Sequence, residues 1–115
     1  MADQTASYSL GEEIANSVTH GVAAIFSVVG LILMVTLAAL RSQSAVAVTA
    51  VAIFGASMIV LYTASTLYHA ITNRKAKKIL QVFDHSSIYL LIAGSYTPFC
   101  LITLQGTLGW TLCIA

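Results

Sequence analysis

Long apolar runs separated by short polar segments set the pattern of this chain. Residues 1–9 are polar and read as a mobile tail. Residues 10–20 have the mixed character of a short amphipathic helix that leads into a membrane. Gly21 to Leu40 carries no formal charge over 20 residues. At about 1.5 Å per residue that run matches a hydrocarbon core of about 30 Å. Ala45 to Ile71 follows with 27 residues, long enough to span with tilt. Residues 86–104 form a third run, Gln105-Gly106-Thr107 reads as a turn, and a fourth run covers 108–115. The runs show no apolar–polar alternation, which favours helices over a barrel. The predicted fold is therefore all-α: a polytopic transmembrane bundle with three complete helices and the start of a fourth. The fourth run has eight residues, against the roughly 20 that a span needs. The expectation is either a piece of a longer protein or a truncated gene. All 115 residues read as one N-terminal portion of a bundle.

Composition sharpens this picture. Hydrophobic residues make up 58%, charged residues 8%, and mean hydropathy is +0.90. A soluble domain has about 25% charged residues, so this chain cannot cover a water-facing surface. Its charges punctuate the runs. Asp3, Glu12 and Glu13 precede the first, Arg41 follows it, and Arg74, Lys75, Lys77 and Lys78 separate the second from the third. The acidic start excludes a cleavable signal peptide, which needs a basic one. Four of the five basic residues lie in the 72–79 segment, so the positive-inside rule places that segment and the N-terminus in the cytoplasm. The predicted location is the inner (plasma) membrane, multi-pass. Membrane lipids are the expected partners, no nucleic acid is expected, and no feature names a protein partner. Cys100 and Cys113 lie inside apolar runs and read as small hydrophobes.

Polar groups at membrane depth are costly and usually face a bundle interior. Glu13, Asn16, Thr19 and His20 share one helical face; that face is either solvated at the interface or turned inward. Ser65 and His69 form an i, i+4 pair, with Tyr62 one turn earlier. They read either as an interfacial histidine with a hydrogen-bonded neighbour or as part of a metal site, imidazole being the commonest ligand. Asp84, with His85, Ser86 and Ser87 after it, reads either as an N-terminal cap or as a reactive carboxylate. The predicted topology sets His69 and Asp84 at the same depth, where they can face each other. That arrangement is half of a metal or proton site, because a catalytic zinc needs about three protein ligands.

The same residues carry a family resemblance. Glu13-Ile14-Ala15-Asn16-Ser17-Val18-Thr19-His20, Ser65-Thr66-Leu67-Tyr68-His69, and Phe83-Asp84-His85-Ser86-Ser87-Ile88-Tyr89 with Gly94-Ser95-Tyr96-Thr97-Pro98 stand in order along the chain. Together they resemble the motifs of the hemolysin III family, in the superfamily of progestin and adipoQ receptors and alkaline ceramidases. The resemblance implies a seven-helix bundle with a cytoplasmic N-terminus and a zinc ion near the cytoplasmic face. It makes His69 a zinc ligand, Asp84 the holder of the zinc-bound water, Ser65 a support for the site, and Glu13, Asn16 and His20 further motif residues. Two more ligands are implied from an H-x-x-x-H motif in the last helix, which these residues do not include.

Several functions follow as expectations. The family name points to a membrane protein associated with cytolysis or membrane homeostasis. No span carries a polar stripe wide enough to line a water channel, so the sequence offers no pore. Analogy with the ceramidases gives the alternative of a zinc-dependent lipid amide hydrolase, in which Asp84 acts as base or orients water. A non-catalytic factor with structural zinc and an inactive truncated remnant are further readings.

Overall fold

The computed structural model describes residues 8–115. Most of the predicted tail, residues 1–7, lies outside the described residues. Helix α1 runs from Leu10 to Leu37, α2 from Ala45 to Ala70, α3 from Arg74 to Pro98 and α4 from Gly106 to Ile114. Wider π-helical turns extend α1 through Ala38–Ser42 and α3 through Phe99–Leu104. Among the described residues there is no strand. Three helical stretches are long and apolar enough to cross a membrane: Leu10–Ser42, Ala45–Ala70 and Arg74–Leu104.

Local chemistry explains the boundaries. Ser9 starts α1 with a capping box: its hydroxyl accepts from the Glu12 amide at 3.3 Å, and the Glu12 carboxylate accepts from the Ser9 amide at 2.7 Å. Nothing breaks the chain between the entry segment and the first apolar run, so the two form one continuous α1. Gly21, at their junction, lies where an added Cβ would meet Thr66 Cγ2 at 3.5 Å, so this turn of α1 sits close on α2. Asn73 starts α3 by accepting from the amides of Lys75 and Ala76 at 3.0 and 3.2 Å. The basic residues of the 72–79 segment therefore belong to the first turns of a helix. Lysine and arginine are good helix formers, and their charge marks the membrane boundary without ending the helix. Pro98 has no amide hydrogen to donate within α3, and the wider turn follows directly after it.

Helix α2 is central and packs against both α1 and α3. The molecule measures 48 × 31 × 18 Å, close to a single layer of three helices each about 10 Å across. The buried positions are small or polar: Ala47, Ala50, Ser27, Ser57, Ser65 and Ser87 among them. Large apolar side chains such as Ile25, Phe26, Ile32 and Leu33 point outward. A water-soluble bundle shows the reverse. Here lipid takes the outer face, and close backbone approach replaces a greasy core.

Candidate functional site

One end of the layer gathers the start of α1, the end of α2 and the start of α3. Each helix brings polar residues to it for a local reason. On α1, Glu13, Asn16, Ser17 and His20 are partly buried while Ile14, Ala15, Val18 and Thr19 are exposed; three residues of the face seen in the sequence thus turn toward α2, whereas Thr19 stays outside and bonds its own helix backbone. On α2, Ser65, Tyr68 and His69 are all buried. On α3, Lys77 and Asp84 lie on the partly buried face.

The centre of this end is the Glu13 carboxylate. One oxygen accepts from His69 Nδ1 at 3.1 Å and the other pairs with Lys77 Nζ at 2.9 Å. One α1 side chain thus ties α2 to α3. Lys77 also donates to the Tyr68 carbonyl at 3.0 Å and sits 4.8 Å from the centre of the Tyr68 ring. That carbonyl is in the last turn of α2, where a cation complements the free carbonyls and the helix dipole. One turn deeper, His20 Nδ1 is hydrogen-bonded to Ser65 Oγ. The two imidazoles meet edge to face at 6.0 Å, with Tyr8 against His69 at 5.3 Å and Tyr62 against His20 at 5.9 Å. The result is a stack of rings between α1 and α2.

These contacts rearrange the pairings expected from sequence. The carboxylate on His69 is Glu13, and the partner of Ser65 is His20. Asn16 lies on the inward face between Glu13 and His20. Asp84 has His85 as its nearest ionic neighbour, at 3.9 Å. His85 Nδ1 already donates to the Gln81 carbonyl at 2.8 Å, so that proximity is no strong bond. Lys77, Tyr68 and Tyr8 belong to the cluster without having been singled out. In the sequence Lys77 shows only as one charge of the basic segment. Cys100 is buried and Cys113 partly so, both as free thiols.

With a carboxylate accepting from Nδ1, a neutral His69 carries its proton on that nitrogen and presents Nε2 as the acceptor. This is how a ligating imidazole is normally held, its second nitrogen donating to a carboxylate. The donor set is nonetheless short. Among the described residues, no three His, Cys, Asp or Glu side chains lie together closely enough to hold a metal ion. These residues therefore do not fit a zinc ion by themselves.

Comparison with known proteins agrees along most of the chain. A family described as "Haemolysin-III related" matches residues 8–115. The chain is 54% identical to "Hemolysin-3" of Bacillus cereus over 101 residues, covering 88% of this chain and 46% of that protein. It is 49% identical to "Hemolysin-3 homolog" of Bacillus subtilis (strain 168) over 107 residues, 93% of this chain and 50% of that protein. The chain thus spans about half the length of these curated relatives. No solved structure gives a significant match.

Proposed function

The chain belongs to the haemolysin-III related family, and from that premise we propose an integral membrane protein acting on the bilayer, in cytolysis or membrane homeostasis, through the polar cluster at its basic end. The observation that carries the proposal is the Glu13 carboxylate, shared between His69 and Lys77. It fixes an imidazole at the membrane boundary with Nε2 available. In this reading His69 is one zinc ligand, and residues beyond these 115 complete the set. Ser65, bonded to His20, and Asp84 are the further candidate residues of the site. In this reading the N-terminus and the basic start of α3 face the cytoplasm of an inner membrane, which the charge asymmetry supports. The names of the relatives are the support for cytolysis. The donor set here supplies no reaction step, so lipid amide hydrolysis gains nothing from this geometry.

Metal analysis tests the site. The purified 115-residue chain should hold no stoichiometric zinc, and the complete gene product should hold one ion per molecule. His69→Ala in the complete product should remove that zinc and any lytic activity toward erythrocytes. Retention of zinc by His69→Ala would overturn the ligand assignment. Topology is read separately, with an impermeant maleimide on intact cells carrying Asn73→Cys or Gln43→Cys. Labelling is expected only for the second, and the opposite pattern reverses the orientation.

A further inference from the structure

A cavity of about 940 Å³ opens at the basic end, between the first two turns of α1, the end of α2 and the first turn of α3. Its volume sits at the upper end of the range of about 300–1,000 Å³ typical of small-molecule sites. Its walls are of two kinds. One is apolar, formed by Ile14 and Val18 of α1 with Ile71 at the end of α2. The other is cationic, formed by Arg74, Lys75 and Lys78. Ile14 and Val18 are 55% and 60% exposed and stack one turn apart on the same face. Arg74, Lys75 and Lys78 are exposed as well. Among the described residues, Lys77 is the one member of the basic four that pairs with a carboxylate. Glu13 on the cavity wall is thereby already matched, and among the described residues no carboxylate pairs with the other three cations.

An occupant that satisfies both walls is an anion joined to a hydrocarbon group. We infer that this cavity binds the phosphate headgroup of an anionic phospholipid from the leaflet at the basic end. Arg74, Lys75 and Lys78 face the phosphate, and the first part of an acyl chain lies along Ile14 and Val18. Basic residues at a membrane surface each attract anionic lipid by about 1 kcal/mol, and a pocket between helices adds shape to that attraction. A free phosphate ion would leave the apolar wall bare. A zwitterionic lipid would bring its own cation toward three others. Glu13 and His69 also line the cavity, but the Glu13 carboxylate is already paired with His69 and Lys77. The inference requires only that α1–α3 lie in a bilayer, and it stands whether or not His69 binds metal.

Lipid-quenching fluorescence tests it on the whole chain. The single tryptophan, Trp110 in α4, is replaced by Trp110→Phe, and Thr72→Trp places a reporter indole on the cavity wall. The protein is reconstituted in phosphatidylcholine vesicles in which either brominated phosphatidylcholine or brominated phosphatidylglycerol is present at equal fraction. The reporter should favour phosphatidylglycerol by about fivefold or more. Single neutralisations, such as Lys75→Gln, should each lower that preference by about fivefold or down to unity. These exposed side chains leave the helix packing untouched, so loss of fold does not confuse the result. Ser17→Phe fills the cavity without changing charge and should also lower the preference. Equal quenching by both lipids would overturn the proposal. A preference insensitive to Ser17→Phe would overturn it in favour of diffuse surface attraction, and displacement by millimolar inorganic phosphate would overturn it in favour of a free-anion site.

Discussion

The basic end and the middle of the same helical layer are held by opposite means. At the end, long side chains reach across open space: Glu13 joins His69 and Lys77, and His20 joins Ser65. In the middle, side chains are missing so that backbones can touch. A Cβ on Gly94 of α3 would lie 2.9 Å from Ser57 Cβ and 3.5 Å from the Ile53 carbonyl of α2. A Cβ on Gly55 of α2 would lie 2.5 Å from Leu31 Cδ1 and 3.0 Å from its Cβ. The difference separates two jobs. Close approach sets how near neighbouring helices lie, because a bilayer offers no hydrophobic force between them. The ionic end decides which helix ends meet, since only matched charges tolerate that depth.

The largest effect should come from removing the shared carboxylate. Glu13→Ala leaves the buried His69 without its carboxylate and Lys77 with only the Tyr68 carbonyl, at a cost of about 3 kcal/mol. Unfolding of the reconstituted chain in mixed micelles, followed by circular dichroism, measures it. A cost no greater than that of the seam glycines would erase the distinction between the two regions. Next comes Gly94→Ala, which forces α3 off Ser57 for about 1–2 kcal/mol, after allowing for the better helix propensity of alanine. Ser57→Gly in the same molecule should restore most of that loss, and a purely additive double variant would show that the seam is not the cause. The smallest is Gly55→Ala. It meets the Leu31 side chain, which can turn aside, so the cost should stay below about 1 kcal/mol. A larger value would make the α1–α2 seam as rigid as the α2–α3 seam.

Much of this division was legible in the chain. The apolar runs fixed three long helices, and the small residues within them pointed to close packing. The inward face of Glu13, Asn16 and His20 followed from helical spacing. The continuity of α1 did not follow, because a change in polarity at Gly21 reads like a boundary although helical hydrogen bonding passes straight through it. The start of α3 was likewise hidden, since four cations resemble a loop until Asn73 is recognised as a cap. The partners in the site were the least accessible. Glu13 and His69 are 56 residues apart, and only the packing of α1 on α2 decides that Glu13, and not Asp84, reaches that imidazole. In the sequence nothing distinguishes Lys77 from neighbours that share its charge. Only its place on the inward face of α3 separates it from Arg74, Lys75 and Lys78.

The central position of α2 has a consequence for the order in which the molecule is made. Each extensive helix contact joins consecutive helices, α1 with α2 and α2 with α3, across connections of only a few residues. Closing such short loops costs little entropy, and contacts of this kind form fast. Each helix can therefore dock on its predecessor as it leaves the ribosome. The Glu13–Lys77 pair is different, because it links the first of these helices to the third. Until α3 is in place, the carboxylate has only His69 to hold it. The arrival of Lys77 then supplies its second partner, so this ion pair closes only once α3 has docked.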